Sequence, residues 1–261
     1  MPAFDPVTAL TRGLEVLRQI NQLERATVTE IHKRTGYPKP TVLRMIETLI
    51  NAGYVMREQG SATYAPTGKC LLLSNGMHAQ ARVTSVAAPF LSTFRRKVGW
   101  PSDFGLFDGD AMVIAATNRE FGVLSLNRKV GARTPMLLSA LGLAYLSFCG
   151  DEEADRILSV LRASGNPLDA RANDPARAKR LLADTRKRGY SLTDDAYLET
   201  VYDSAIWGIG VPVLANGRVM ASLNVMFLRS ALSLDAGLDT LLPPLRETAI
   251  SIGDALAKDV S

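Results

Sequence analysis

The chain has 261 residues, 47% of them apolar, with 30 Lys+Arg against 26 Asp+Glu, a balance that excludes disordered, collagenous and membrane-embedded chains. Its two cysteines, Cys70 and Cys149, and two histidines, His32 and His78, exclude a disulfide framework and a Cys/His zinc cluster, and leave residues 81–261 without a histidine for a Ser-His-Asp or Cys-His centre. The length exceeds the usual ~100–200 residues of one domain and points to two units, with the basic excess, nine Lys+Arg against six Asp+Glu, in residues 1–80.

The chain opens without a basic region followed by an apolar run, and its longest mostly apolar stretch, 135–149, is short for a bilayer, so a cytoplasmic protein with no membrane partner is expected. Leu10, Leu14, Leu17 and Ile20 recur at helical spacing and predict an amphipathic helix over 8–21, with Arg12, Glu15 and Arg18 on other faces. Thr27-Val28-Thr29-Glu30 has the form of a capping box, in which hydroxyl and carboxylate each satisfy a free backbone N–H at a helix start. That second helix runs to Thr35 and stops at Gly36, and Tyr37-Pro38 makes a short turn.

A third helix begins at Lys39-Pro40-Thr41, where a proline costs little because first-turn N–H groups have no intrahelical partner. Val42, Ile46 and Leu49 mark its buried stripe, and Lys39, Thr41, Arg44 and Met45 are expected on its other faces. Residues 54–57 and 62–65, separated by Gln59-Gly60-Ser61, read as a hairpin. Helix, helix-turn-helix and hairpin make a winged helix. A helix N-terminus of this kind fits the major groove, where Lys or Arg reaches guanine and a hydroxyl reaches base or phosphate. The same three-helix pattern also serves protein-interaction modules, in which Arg44 is an ordinary solvated charge.

The run Leu10-Thr11-Arg12-Gly13-Leu14-Glu15-Val16-Leu17, then Thr29-Glu30-Ile31, then residues 35–44, then 49–54 with Gly53, resembles the winged helix of the IclR family of bacterial transcriptional regulators. The resemblance implies a double-stranded DNA operator as partner, with Lys39, Thr41, Val42, Arg44 and Met45 on the recognition helix and Arg12, Thr27, Arg57 and Tyr64 on the DNA backbone. Pro40 stands where the family usually has a small hydroxyl residue, so one hydroxyl contact is lost and the operator sequence is expected to differ.

Residues 67–81, with Leu71, Leu72, Leu73 and Met77, predict a linker helix, and 83–98 a second amphipathic helix carrying Val86, Phe90, Leu91 and Phe94, with Arg95, Arg96 and Lys97 as a solvated end. The division that the resemblance implies is a winged helix over 6–66, a linker over 67–82 and an effector-binding domain over 83–261. From Asp103 the period changes. Phe104 and Leu106, the turn Asp108-Gly109-Asp110, then Met112, Ile114 and Ala116 predict two strands, with Val123, Ser125 and Asn127 continuing the sheet. Residues 130–135 read as a loop feeding an apolar helix over 137–148, and 151–162 and 174–188 as further helices. Ile209, Val211 and Val213 lead into the hairpin turn Asn216-Gly217 and a return strand with Val219, Ala221, Leu223, Val225 and Phe227 on one face. A last helix spans 234–256, bent at Pro243-Pro244. The whole is α+β. The return strand's second face, Met220, Ser222, Asn224 and Met226, suits either a small-molecule pocket wall or a strand covered by a helix with Asn224 bonded to nearby backbone.

Residues 131–135, 139–144 and 209–213, with Arg188-Gly189-Tyr190, are similar to the IclR effector-binding domain, a GAF-like antiparallel-sheet fold, which extends the resemblance over nearly the whole chain. It implies an effector pocket of Ser139, Ala140, Leu141, Thr193 or Asp194, Ile206, Gly208, Asn224 and Met226. Leu137 replaces a common histidine and Met226 a hydroxyl found in some relatives, so the pocket is expected to be more apolar than one built for a small keto acid. With Trp100-Pro101-Ser102-Asp103 and the stretch from Asp110 through Leu126 and Arg128, the chain is similar to the branch regulating catabolism of hydroxyphenylpropionate-type aromatic acids. That places Arg128 or Arg133 on a carboxylate and Trp207, Phe104 or Trp100 on a ring. The implied partners are the operator, a small organic acid, a second copy in a homodimer or dimer of dimers, and RNA polymerase if the protein activates; no cofactor or metal is implied. The rival is a small-molecule enzyme with an accessory winged helix, using Asp194 and Asp195 as paired carboxylates or Cys149 as nucleophile, but no group of residues offers nucleophile, base and orienting partner together.

Overall fold

A computed structural model describes residues 4–118 and 130–259, and the chain divides into two compact units, a head up to His78 and a body from Ala79. The head holds helices α1 (Thr8–Leu23), α2 (Val28–Thr35) and α3 (Lys39–Asn51), with a small antiparallel sheet of strands β1 (Ala26–Thr27), β2 (Val55–Arg57) and β3 (Thr63–Pro66) in the order β1-β3-β2. Thr27 and Glu30 close the capping box on α2, and Gly36 ends that helix at φ 71°, where a side chain is strained.

The buried face of α1 differs from the leucine stripe. Val16, Leu17 and Ile20 are in the core, whereas Leu10 and Leu14 are 62% and 57% exposed. The helix turns Gly13 toward Met45 of α3, and the residues that follow it at helical spacing, Val16, Leu17 and Ile20, are therefore the inward ones. On α3 the stripe is Val42, Met45 and Ile46, with Leu49 only half-buried, so Met45 belongs to the core and not to an outer face. The expected linker helix over 67–81 is instead a 3-10 helix, Gly68–Ser74, capped by the Thr67 hydroxyl, and α4 begins at His78 and runs to Val98. Leu71, Leu72 and Leu73 are all exposed on it.

The body is built on a six-stranded antiparallel sheet, order β6-β5-β4-β9-β8-β7, from β4 (Asp103–Phe107), β5 (Ala111–Thr117), β6 (Arg133–Pro135), β7 (Ser191–Leu192), β8 (Ile206–Ala215) and β9 (Arg218–Leu228). Asn216 and Gly217, both at positive φ, turn β8 into β9. One face packs α4 and α9 (Leu234–Asp259) through Leu91, Phe94, Leu223, Val225, Phe227, Leu245 and Ile252. The other receives α5 (Ala140–Phe148), an almost wholly buried helix that α6 (Asp151–Ala163) and α7 (Pro175–Arg188) cover through Leu146, Ile157, Leu161 and Leu182. Gly210 lets α5 lie against β8, since a Cβ there would sit 2.5 Å from the Ala140 carbonyl oxygen.

Four short elements escape the sequence reading. β6 occupies what reads as a loop, pairing Arg133, Thr134 and Pro135 with β5. β7 is two residues long, Pro167–Asn173 is a 3-10 helix, and α8 (Asp195–Tyr202) fills a stretch with no predicted element. The apolar helix starts at Ala140, three residues later than its pattern suggests, because Ser139 caps it. Pro243 and Pro244 lie inside α9. Val123, Ser125, Leu126, Asn127 and Arg128 lie outside the described residues.

Candidate DNA-binding and effector sites

In the head, the start of α3 presents Lys39, Pro40 and Arg44 to solvent, with Thr41 half-buried beside them. Thr8, Ala9 and Arg12 of α1 line a groove of about 430 Å³ with Pro40, Thr41, Arg44 and Met45 of α3. The Arg12 guanidinium lies 5.6 Å from the Tyr37 ring centroid, which holds it beside the turn between α2 and α3. His32 Nδ1 braces that turn at 2.7 Å from the Tyr37 carbonyl oxygen. Among the described residues Arg12, Lys39, Arg44 and the exposed wing residue Arg57 carry no ion pair, whereas Arg18 and Arg25 are neutralised by Glu15 and Glu58. Unpaired cations at a helix N-terminus and on a wing are what a polyanion needs.

Four residues expected at the DNA are otherwise engaged. Val42 is fully buried, and Met45 and Tyr64 are nearly so, as parts of the head's core, so none offers a free side chain to a base or phosphate. Thr27 spends its hydroxyl on its own helix: it accepts from Glu30 N–H at 3.2 Å and donates to Glu30 Oε2 at 2.8 Å. The Thr27 backbone N–H, which donates to Glu30 Oε2 at 2.8 Å, and then the Thr27 hydroxyl hold the Glu30 carboxyl below the usual carboxylate range.

In the body, the expected pocket residues gather at one end of the contact between α5 and the sheet. Gly208 of β8 faces Met226 of β9, and Gly210 faces Asn224. Thr193 N–H donates to the Gly208 carbonyl at 2.9 Å and Asp194 N–H to the Leu138 carbonyl at 2.9 Å, which ties the chain before α8 to both β8 and the entrance of α5. Ser191 Oγ donates to the Ala140 carbonyl at 2.6 Å. Ser139 is engaged as the α5 cap, donating to Pro135 O at 2.7 Å and accepting from Gly142 N–H at 3.0 Å. Leu141 sits over Gly105 on the same face.

The two readings of the β9 second face resolve toward a covered strand at Asn224, whose Oδ1 accepts from Asp103 N–H at 2.7 Å and whose side chain is buried. Further along, Met226 and Ile206 join Leu138, Tyr197, Leu198 and Tyr202 in a small apolar cluster separate from both main cores. Its aromatic members come from α8. Tyr197 and Tyr202 meet edge to face at 6.3 Å. Their signal was present in the sequence as Tyr197, Leu198, Val201 and Tyr202 at helical spacing behind Asp194, which caps α8 through Tyr197 N–H.

The aromatic residues expected on a ligand ring lie on the opposite face. Phe104 is fully buried opposite Leu223 in the α4/α9 core, Trp100 stacks edge-on against Phe227 at 6.2 Å, and Trp207, packed against that same core, is covered by Arg229 at 3.6 Å. Arg133 is likewise displaced: it forms ion pairs with Asp108 and Asp110 at the β4–β5 turn and has no free edge for a carboxylate there. The groups of the enzymatic rival are buried or paired. Burial pushes the Cys149 thiol up to about 12, and Asp194 and Asp195 each take an arginine, Arg171 and Arg229.

Comparison with known proteins decides the family. Residues 9–59 match the IclR helix-turn-helix domain, and residues 77–254 match the family described as bacterial transcriptional regulator IclR C-terminal. The chain belongs to the IclR family. It is therefore a DNA-binding transcriptional regulator, and the relatives it matches are named as regulators and repressors, not enzymes. The Pca regulon regulatory protein of Pseudomonas putida is 26% identical over 85% of this chain and 74% of its own length. Transcriptional repressor IclR of Escherichia coli K12 is 27% identical over 75% of this chain and 72% of its own. In fold, an IclR homolog from Microbacterium hydrocarbonoxydans, solved in complex with 4-hydroxybenzoate, aligns with a TM-score of 0.69 at 22% identity, covering 96% of this chain and all of that one. No described helix is long and apolar enough to cross a membrane, and no described group of His, Cys, Asp or Glu forms a metal cluster.

Proposed function

We propose that this IclR-family regulator answers to a small aromatic carboxylate held where α8 meets the α5–sheet contact. The observation that carries the reading is the cluster of Leu138, Tyr197, Tyr202, Ile206 and Met226, edged by Thr193 and Asp194, an apolar aromatic wall with a polar rim. The first-turn N–H groups of Ala140 and Leu141 take no acceptor among the described residues and add donors to that rim. Support comes from the relative named for the Pca regulon and the fold neighbour holding 4-hydroxybenzoate. Aromatic acid catabolism is accordingly the class of pathway proposed, and the hydroxyphenylpropionate-type branch stays a narrower form of the same idea.

On the DNA side, residues 6–66 act as the reading head. Lys39, Thr41 and Arg44 reach base edges, and Arg12 and Arg57 hold phosphates. Residues 67–82 link it to the effector domain over 83–261. A second copy covers exposed Leu10, Leu14 and Leu71–Leu73 in a homodimer or dimer of dimers, which places two heads on one operator in the cytoplasm, where RNA polymerase is a further partner if the protein activates. The effector acts by binding more tightly to one arrangement of the heads than to another. Thermal-shift titration of the full chain with 4-hydroxybenzoate, followed by operator binding with and without it, tests the reading. A dose-dependent rise in melting temperature together with a changed DNA affinity is expected. No shift with any aromatic acid overturns it.

A further inference from the structure

We infer that Arg171 reads the effector's carboxylate, in competition with Asp194. This assignment rests on the pocket proposed above and gives it a charge partner that the sequence did not suggest. Arg133 is unavailable, paired to Asp108 and Asp110. Arg229 is committed three ways: to the Trp207 ring, to the Ile206 carbonyl at 2.9 Å and to Asp195 at 2.8 Å. Arg171 is different. It uses Nη2 alone, on the Asp194 carboxylate, and its remaining N–H groups take no acceptor among the described residues.

Its position suits the role. The 3-10 helix that carries Arg171 is anchored by fully buried Ala172 and by Asp169, which accepts from Ser164 Oγ at 2.7 Å, so the guanidinium projects from a fixed support. The Arg171 side chain is 34% exposed and its partner Asp194 only 14%, which leaves an open guanidinium edge above a mostly covered carboxylate. Asp194 is also the residue whose N–H holds Leu138 and whose Oδ1 caps α8, the helix that supplies Tyr197 and Tyr202. A planar guanidinium matches a carboxylate with two parallel N–H bonds. An aromatic acid lying against the tyrosines thus places its acid group on the unused edge and draws Arg171 away from Asp194.

Isothermal titration of the full-length protein with 4-hydroxybenzoate and with neutral 4-hydroxybenzamide separates the possibilities. In the unaltered protein the acid binds more tightly than the amide. In Arg171→Gln the acid loses about tenfold or more while the amide stays within about threefold, the difference expected for losing a charge-assisted bidentate contact. Arg171→Lys, which keeps the charge but not the fork, falls between. Asp194→Asn keeps an α8 cap and removes the competing carboxylate, so the acid binds severalfold more tightly. A purely structural Arg171–Asp194 pair predicts the opposite for that variant, with acid and amide weakened alike. An unchanged acid-to-amide ratio in Arg171→Gln overturns the assignment and leaves the pocket standing. Failure of the unaltered protein to bind either compound overturns the pocket reading, and this assignment with it.

Discussion

Head and body are held together by different kinds of instruction. In the head each element announces its own ends: Thr27 and Glu30 start α2, Gly36 stops it, Pro40 opens α3, and the wing turns at Gly60. In the body the central helix α5 has almost no outward face, and its placement depends on where the sheet leaves room, at Gly105 and Gly210. Local signals therefore locate the reading surface proposed for the head, whereas the site proposed in the body is made by elements meeting from far apart in the chain. Substitutions should divide along the same line, with the body failing as a unit and the head tolerating changes at its reading surface.

The largest effect tests the body. Gly210→Leu drives a side chain into the Ala140 carbonyl oxygen and Ser191 Oγ, both under 3 Å from its Cβ, and both held by hydrogen bonds that limit retreat. A loss of about 3 kcal/mol or more is expected, in the range of forced overpacking beside backbone. Calorimetry should show the body's transition lowered and the head's nearly unmoved. A single transition that shifts as a whole would mean the two units do not unfold independently.

Next comes Arg44→Ala in the head. Arg44 is exposed and unpaired, so the fold should be untouched while operator binding weakens by about 1–3 kcal/mol and base preference relaxes. Affinity should also fall steeply with salt, because phosphate contacts release counterions, and less steeply for Arg57→Ala if the wing holds a phosphate. Fluorescence anisotropy at several salt concentrations reads both; an identical salt slope removes Arg57 from the interface.

What the sequence could and could not reveal follows from the same division. The capped helices, the Asn216-Gly217 hairpin and the alternating run from Val219 to Phe227 are written locally, and the structure has them. The two residues of β7 and the three of β6 have no periodicity to read; they are strands only because β8 and β5 lie beside them. α8 was hidden by its length of eight residues and by Asp194-Asp195, which read equally as a turn. The aromatic partners went astray because Phe104, Trp100 and Trp207 were placed on a ring by resemblance, which does not say which face of the sheet a side chain takes. Phe104 pairs with Leu223, and a register shift between Phe104 and Gly105 changes how β4 meets β5, so face assignments cannot be carried across by counting.

A smaller effect separates capping from recognition at Thr27. Thr27→Ala removes the hydroxyl that Glu30 N–H and Glu30 Oε2 both use, at a cost of about 1 kcal/mol in head stability. DNA affinity per folded molecule should not change. Because the Glu30 carboxyl is held below its ordinary value in the folded state, the stability it contributes is present above that value and is lost as pH falls through the folded one. The gap between the two proteins should narrow in acid. A constant gap from neutral pH down to strongly acid conditions would assign the loss to the hydroxyl alone.

The smallest effect on the fold itself is expected at Leu10 and Leu14, and it is the most informative about assembly. Both are more than half exposed, so Leu10→Ser with Leu14→Ser removes little burial within one chain, and head stability at low concentration should move by no more than about 0.5 kcal/mol. Leu17→Ser, one turn on and in the core, should cost several times more. If a second copy covers the outer stripe, the double variant should dissociate at concentrations where the parent stays associated, and its stability should lose the concentration dependence that coupled folding and association impose. Sedimentation of the two proteins side by side decides it. Equal masses at every concentration would place the contact between copies elsewhere and leave the outer leucines as plain surface.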